Sequence, residues 1–205
     1  MQLKKTFFNR DATILAKALL GKIIRVKHKS TWLAAQIIET EAYYLDDKGS
    51  HASLGFTEKR KALFMPAGTI YMYYARGGDS LNVSAKGEGN AVLIKSAYPY
   101  FDKISPETNL VIMQQLNPPK NGGASRPTHK LCNGQTLLCR ALGLKVPHWD
   151  AKQFDANLFY LDDVGYKPQK ILQAKRLGIP IGRDEHLEYR FVDAAFADVC
   201  TKKIK

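Results

Sequence analysis

Ile37-Ile38-Glu39-Thr40-Glu41-Ala42-Tyr43-Tyr44 is a run of β-branched and aromatic residues that predicts a buried strand. Side chains alternate along a strand, so Glu41 and Tyr43 are expected to face the same side, with a carboxylate beside an aromatic ring. Burying an ionised carboxylate without a partner is costly, and the neighbouring sequence offers Glu41 no cation. The pattern therefore indicates that Glu41 has a catalytic role. The alternative is a structural ion pair with a distant lysine or arginine.

A second aromatic strand is predicted at Ile70-Tyr71-Met72-Tyr73-Tyr74, and His51 lies in the loop between the two strands. Five of the ten tyrosines fall between positions 43 and 74. This density of rings predicts a pocket with aromatic walls that also holds one acid and one imidazole. Such a pocket suits a flat, electron-poor heterocycle.

The chain is strongly basic. Its 205 residues include 31 Lys and Arg against 19 Asp and Glu, which gives a formal net charge of +12. This balance favours a polyanionic partner, with nucleic acid as the first choice, although ribosome-associated and merely soluble proteins are also basic. No apolar run approaches the roughly 20 residues of a membrane span, and the N-terminus lacks a signal-peptide core. We therefore expect a cytoplasmic protein.

The pattern along the chain predicts one domain over residues 1–205, of the α+β class, with a curved, largely antiparallel sheet flanked by helices. Helices are predicted at about 12–20, 105–116 and 134–142. Residues 45–62 and 117–130 are predicted to be loops. Strands are predicted at 22–27, 31–44, 69–75, 80–85, 90–97, 157–161, 170–176 and 188–192.

Three cysteines, Cys132, Cys139 and Cys200, form neither an even set nor a CxxC pair, which disfavours a disulfide framework or a zinc site. They are best interpreted as small buried thiols. The chain has no P-loop, no dinucleotide fingerprint and no Ser-His-Asp elbow motif. The sequence therefore offers no motif for a metal or a cofactor.

Several stretches of the chain, from the first helix to about residue 192, match those of a known family and follow one another in the same order. They are Ile38-Glu39-Thr40-Glu41-Ala42-Tyr43, the His51 loop, Phe64-Met65 followed by Gly68-Thr69-Ile70-Tyr71-Met72-Tyr73, Leu81-Asn82-Val83-Ser84, Gly123-Ala124-Ser125-Arg126, Leu131-Cys132 through Cys139-Arg140-Ala141-Leu142, and Arg176-Leu177-Gly178-Ile179. Together they resemble the alkyladenine (3-methyladenine) DNA glycosylases of mammals and many bacteria. The resemblance implies a single mixed domain that needs no cofactor or metal and acts on double-stranded DNA containing damaged purines.

The resemblance also implies base excision, in which a damaged purine is flipped out of the duplex and its N-glycosidic bond is hydrolysed. Glu41 matches the general base of the family. Lys95 stands where the family commonly has an arginine that helps to hold the nucleophilic water, and lysine keeps the charge but loses the planar fork. Glu39 and Tyr71 match no catalytic position, so they are interpreted as a solvated strand carboxylate and a core ring.

A base-binding role is implied for five residues. Tyr43 and Tyr73 would sandwich the flipped base, and His51 would complete the cage and offer a hydrogen bond to the base edge. Asn82 matches an asparagine that crowds the exocyclic amine of guanine, and Ile179 belongs to the last matching stretch. On the residues alone, a turn or ladder asparagine is the favoured interpretation of Asn82, and a loop histidine bonded to backbone is the alternative for His51.

DNA-binding residues are implied on two grounds. The intercalating tyrosine of the family, which fills the gap left by the flipped base, aligns with Arg76; the alternative is a phosphate contact, with Tyr74 or no residue as the wedge. Contacts to phosphate are predicted for the basic residues Lys59, Arg60, Lys61, Lys120 and Arg126. We expect the protein to act as a monomer.

Two other functional classes stay open on the sequence. A non-catalytic nucleic-acid-binding module would also be basic, but it has no use for a carboxylate such as Glu41 in its groove. An N-glycosidase acting on another nucleic acid would use the same pocket on a different substrate.

Overall fold

The run that contains Glu41 lies at the centre of the sheet. In the computed structural model, which describes residues 1–75, 77–120 and 122–204, this run belongs to strand β2. The strands form one antiparallel sheet, which confirms the predicted fold class. They are β1 (Ile23–His28), β2 (Thr31–Tyr43), β3 (Ile70–Ala75), β4 (Gly78–Ser84), β5 (Ala91–Pro99), β6 (Phe159–Asp162), β7 (Ile171–Ala174) and β8 (Arg190–Asp193).

Strand β2 has three neighbours. Along one edge it pairs with β5, and along the other it pairs first with β1, over residues 31–36, and then with β8, over residues 39–41. The sheet runs in the order β3-β4-β5-β2-β1-β6, with β7 beside β8. The end of β2 that carries Glu41 is therefore enclosed by strands on both edges.

The pairing of β2 with β5 contains two β-bulges. Ile38 is an extra residue in β2 and Lys95 is an extra residue in β5, because the register changes from Ile37 opposite Ala97 to Thr40 opposite Ile94 through a single intermediate pair. In a regular strand, two consecutive residues point to opposite faces. The bulge allows Lys95 and the next residue to reach the same face, the one that carries Glu41.

The described helices include three that the sequence predicted and three that it did not. They are α1 (Lys5–Phe8), α2 (Ala12–Leu19), α3 (Leu110–Leu116), α4 (Thr128–Leu131), α5 (Gln135–Ala141) and α6 (Val146–Trp149). Helices α1, α4 and α6 have four residues each, too few for a periodic pattern. The predicted loops are wrong in part, because 3-10 turns occupy Ala52–Leu54 and Glu58–Phe64 and because α4 begins at Thr128.

Helix α2 covers the face of β2 opposite to Glu41. The side chain of Asp11 caps the helix by accepting hydrogen bonds from its first turn. Thr40 donates its hydroxyl hydrogen to the carbonyl of Ala16 at 2.9 Å, which fixes α2 on the Thr40 side of the strand. Since alternate residues face opposite ways, Glu41 and Tyr43 face away from the core beneath α2.

Two negative findings apply to the described residues. None of their helices has the length and apolar character needed to cross a membrane. Nor do these residues bring together three or more His, Cys, Asp or Glu side chains that could hold a metal ion. The three cysteines are free and buried, as predicted, and burial raises the pKa of the Cys132 and Cys139 thiols well above its ordinary value.

Candidate active site

A pocket of about 320 Å³ opens on the side of the sheet that carries Glu41, a volume within the usual range of small-molecule sites. Its walls come from strands β2 to β5, the loop that contains His51, and residues 177–180. The structure brings together every residue for which the resemblance implied a base-binding role, and adds Lys95. The side chains concerned are Tyr43, His51, Tyr73, Asn82, Lys95 and Ile179.

Glu41 is fully buried directly behind the pocket wall. Its Oε2 accepts a hydrogen bond from the hydroxyl of Tyr43 at 2.7 Å, and its Oε1 accepts one from the backbone N–H of Leu177 at 2.9 Å. The ammonium of Lys95 lies 3.4 Å from both oxygens. The carboxylate is thus fixed by three donors, and all three of the residues that supply them line the pocket.

The Lys95 contact bears on the two interpretations of Glu41. The sequence around Glu41 offers no cation, and the partner comes instead from β5 through the bulge. The ion pair considered as the alternative is therefore present. Because Lys95 lines the pocket, this pairing keeps Glu41 next to the site, so the ion pair and a chemical role for Glu41 are compatible.

Tyr43 is held as a hydrogen-bond donor. Burial, the negative charge of Glu41 and the hydrogen bond to that carboxylate raise the pKa of the Tyr43 phenol well above its ordinary value of 10.0. The phenol therefore stays protonated at neutral pH and keeps its bond to Glu41.

His51 lies among the rings of the pocket. Its Nδ1 is 2.9 Å from the hydroxyl of Tyr71, and its ring centroid is 4.5 Å from that of Tyr73. Partial burial and the positive charges of Arg60 and Arg183 lower the pKa of the imidazole, so it is neutral at neutral pH. The interpretation of Tyr71 as a core ring is correct for its burial but incomplete, since Tyr71 also lines the pocket.

Asn82 is a ladder asparagine, as one of its two interpretations predicted, and it also lies at the pocket. It lies opposite Tyr71 in the ladder of β3 and β4, and its Nδ2 donates to the carbonyl of Tyr71 at 3.1 Å. Its side chain is buried and still lines the pocket. The hydrogen bond fixes the amide against one wall.

A buried ion pair that the sequence analysis missed fixes the loop that carries Leu177. Arg176 binds the carboxylate of Asp47 through two nitrogens, with Nη2 donating to Oδ1 at 2.9 Å. The Arg176 guanidinium also lies 4.6 Å from the ring centroid of Tyr43. The two partners are 129 positions apart, so no local pattern points to the pair; the family-like stretch at Arg176-Leu177-Gly178-Ile179 was the one available signal.

The interpretation of Glu39 as a solvated carboxylate is wrong. Glu39 is fully buried and accepts hydrogen bonds from Arg190 at 2.6 Å, from the hydroxyl of Ser96 at 2.7 Å and from the backbone N–H of Thr201 at 2.8 Å. The reason is that β8 and the segment after it cover this end of β2. Glu39 therefore anchors the C-terminal segment and takes no part in the pocket.

The first group of predicted phosphate contacts lies beside the pocket. Lys59, Arg60 and Lys61 occupy the 3-10 turn Glu58–Phe64, with Lys59 and Lys61 exposed and Lys61 3.2 Å from the carboxylate of Glu58. Arg60 is attached to the loop that contains His51 through hydrogen bonds to backbone carbonyls.

The other predicted DNA contacts lie elsewhere. Lys120 is exposed, and Arg126 donates to the carbonyls of Asn117 at 3.3 Å and Pro118 at 3.1 Å. Arg76 lies outside the described residues. Tyr74, the alternative wedge, lies on β3 with 69% of its surface exposed.

Proteins with similar sequences are known. A protein of Pseudomonas aeruginosa is 64% identical over 200 residues, which is 98% of this chain and 83% of the relative. A protein of Pseudomonas syringae pv. syringae is 65% identical over 196 residues, 96% of this chain and 87% of its own. A protein of Clostridium beijerinckii is 34% identical over 186 residues, 87% of this chain and 88% of its own. All three bear the name "Putative 3-methyladenine DNA glycosylase".

The match to a family covers nearly the whole chain. Residues 6–196 match the family described as methylpurine-DNA glycosylase, which confirms the resemblance drawn from the sequence. This span includes all the residues that line the pocket. The chain therefore belongs to the methylpurine-DNA glycosylase family and is a DNA glycosylase, an enzyme of DNA repair that hydrolyses N-glycosyl bonds.

Proposed function

We propose that the protein extrudes a purine of the 3-methyladenine class from double-stranded DNA and hydrolyses its N-glycosidic bond with water, leaving an abasic site. The observation that carries this proposal is the Glu41 carboxylate, held by Tyr43, Lys95 and Leu177 immediately behind a pocket with aromatic walls. The names of the similar proteins support the choice of substrate class.

The pocket suits a cationic heterocycle. Alkylation of a purine ring nitrogen leaves a positive charge on the ring, and such a ring stacks favourably against the electron-rich faces of Tyr43 and Tyr73. The lowered pKa of His51 keeps its imidazole neutral at neutral pH, so it does not repel the lesion. Asn82, fixed on the carbonyl of Tyr71, would crowd the exocyclic amine of an undamaged guanine.

Bond cleavage needs little acid catalysis for such a lesion. As the bond between C1′ and the base nitrogen breaks, its electron pair neutralises the positive ring, and the base leaves as a neutral molecule. Positive charge builds on the sugar, where the Glu41 carboxylate stabilises it. Glu41 then accepts a proton from the water whose oxygen bonds to C1′.

Lys95 and Tyr43 would prepare the carboxylate for this step. The 3.4 Å separation between Lys95 and Glu41 is longer than the roughly 2.8 Å of a strong charge-assisted hydrogen bond. Because Lys95 lines the pocket, its ammonium can hold a water molecule beside the carboxylate. We assign Lys95 the water-holding role for which the family commonly uses arginine.

In the decisive experiment, the protein is incubated with methylated duplex DNA and the alkali-labile abasic sites are measured. The wild type is expected to produce them, and Glu41→Gln to bind the lesion while cleaving about a hundredfold more slowly or worse in single turnover. Glu58→Gln is the matched control, because Glu58 is an exposed carboxylate outside the pocket lining. Cleavage by Glu41→Gln at the wild-type rate would remove Glu41 from the mechanism.

Further outcomes separate this function from its alternatives. Lesion binding without abasic sites would indicate a non-catalytic binding module, and cleavage of RNA alone would indicate another N-glycosidase. Because water is the nucleophile, borohydride should trap no protein-DNA adduct; an adduct at Lys95 would contradict the proposal. Oligonucleotides that each carry 3-methyladenine, 7-methylguanine, ethenoadenine or hypoxanthine would then rank the lesions.

A further inference from the structure

Five of the described arginines show two different kinds of contact. Arg25, Arg176 and Arg190 are buried, and each pairs with a carboxylate that offsets its charge. Arg60 and Arg183 instead donate to backbone carbonyls, which orient the guanidinium without neutralising it. The second arrangement provides a fixed positive charge that stays available to an anion.

Both of these arginines are attached to one loop, at its two ends. The Nε of Arg183 donates to the carbonyl of Lys48 at 2.8 Å, and Arg183 lines the pocket. The Nε of Arg60 donates to the carbonyl of Gly55 at 2.9 Å, and its Nη2 donates to the carbonyl of Leu54 at 3.1 Å. The loop formed by residues 48–55, which contains His51, therefore has one guanidinium attached at each end.

The charges of Arg60 and Arg183 are not offset by an acid. Among the residues that the structure describes, neither arginine forms an ion pair. Asp184 is next to Arg183 in sequence, but its carboxylate accepts the backbone N–H of Lys48 at 2.9 Å. His51 lies on the loop between the two guanidiniums, and both positive charges contribute to its lowered pKa.

We propose that Arg60 and Arg183 form a phosphate-binding site at the mouth of the pocket, which holds the phosphodiester beside the extruded nucleotide. This inference rests on the proposed base-excision function, because only an extruded nucleotide brings its phosphate to this point. The occupant is an anion, since two positive charges without a paired carboxylate attract phosphate oxygens. A guanidinium presents a planar fork that matches phosphate, and anchoring it in advance lowers the entropy lost on binding.

The test measures binding to a duplex that contains one tetrahydrofuran residue, an abasic analogue without a glycosidic bond. Arg183→Gln and Arg60→Gln are each expected to weaken binding about tenfold at low salt. Each should also make the slope of log K against log salt shallower, and the double variant should lose about 0.9 in total, the value for one phosphate contact. Arg183→Lys, which keeps the charge, should retain most of the affinity.

Lys27→Gln is the control for loss of one positive charge. Lys27 is exposed on β1 and pairs with Trp32, nine residues before Glu41 on β2, or about 30 Å along the strand. This variant is expected to bind the duplex with nearly the wild-type affinity and salt slope.

A structural role for Arg183 would give a different result. If the bond from Arg183 to Lys48 merely holds the loop, Arg183→Lys weakens binding as much as Arg183→Gln does. Single-turnover cleavage of methylated duplex by these variants then slows even at saturating enzyme, and the salt slope of binding is unchanged. That set of results overturns the phosphate site. The phosphate site is also overturned if the wild type cleaves methylated DNA while Arg183→Gln and Arg60→Gln both bind the duplex with the affinity and salt slope of the wild type. Absence of cleavage by the wild type overturns the proposed function, and this inference with it.

Discussion

The ammonium of Lys95 lies 3.4 Å from each oxygen of the Glu41 carboxylate, although the two residues are 54 positions apart. Both side chains are buried, so each charge depends on the other for compensation. The bulge at Lys95 makes the contact possible, because it lets Lys95 reach Glu41 while the following Ser96 reaches Glu39 on the same face. One local irregularity thus serves both the candidate catalytic pair and the anchoring of the C-terminal segment.

The first prediction follows from this pair. Lys95→Met removes the cation that is paired with the buried Glu41 carboxylate and should lower the free energy of unfolding by about 3 kcal/mol or more. Adding Glu41→Gln to Lys95→Met should recover much of that loss, because the uncompensated charge is removed. Denaturant unfolding of the two single variants and the double variant measures the coupling. A loss of stability in the double variant equal to the sum of the losses in the two single variants would show that the two side chains do not depend on each other.

Lys95→Arg tests the departure from the family pattern. Arginine keeps the positive charge and adds a planar fork, so we expect cleavage within about tenfold of the wild type, whereas Lys95→Met should lose far more. Single-turnover kinetics on methylated duplex provide the measurement. A rate for Lys95→Met equal to that of Lys95→Arg would exclude the water-holding role.

The next prediction concerns Asp47, a positioning residue that acts through Arg176. Asp47→Asn removes the charge that holds Arg176, which lies over the ring of Tyr43 and precedes the Leu177 N–H that binds Glu41. The single-turnover rate should fall about tenfold while lesion binding changes less, because the loss acts on the carboxylate. Asp46→Asn, which changes an exposed neighbour, is the control. A defect confined to binding would argue against this route.

A pH prediction follows from His51. Its pKa in the folded protein is lowered, so between the unfolded value of about 6.5 and the lower folded value the unfolded chain takes up a proton that the folded protein does not. Stability should therefore decrease as pH falls through this window, and His51→Gln should remove that part of the decrease. Arg183→Gln removes one neighbouring positive charge and should raise the midpoint of the His51 titration followed by NMR. An unchanged midpoint would mean that the charge of Arg183 does not affect the pKa of the imidazole.

The sequence predicted the parts of this protein that depend on local pattern. The β-branched and aromatic run in β2 and the aromatic run in β3 predicted both strands, and the matching stretches predicted the residues around the pocket. The Asp47–Arg176 pair and the Leu177 N–H contact depend on two loops meeting in three dimensions, which no local pattern encodes. Glu39 was misinterpreted for the same reason, since the cover over it comes from residues 190–201.

The identity of the wedge depends on the turn between β3 and β4. Ala75 pairs with Gly78 across the two strands, and the carbonyl of Gly77 accepts a hydrogen bond from Arg140 at 2.6 Å. Gly77 has a φ of 77°, a conformation that favours glycine, and a Cβ at this position would meet no atom within 4 Å. The backbone at Gly77 is therefore able to approach a groove closely.

The last prediction is that Arg76, which aligns with the intercalating tyrosine of the family, fills the gap left by the extruded base. A side chain in that gap must be long and able to lie flat against the neighbouring bases, and a guanidinium meets both conditions whereas an ammonium meets only the first. Arg76→Ala and Arg76→Lys should therefore both slow formation of the extruded complex about tenfold, measured as the fluorescence change of a 2-aminopurine beside the lesion. Tyr74→Ala, which removes the exposed ring on β3, should slow it much less. If Arg76 instead contacts a phosphate, Arg76→Lys restores the rate and Arg76→Ala mainly changes the salt dependence of binding. A large defect in Tyr74→Ala together with a normal rate in Arg76→Lys would assign the wedge to Tyr74.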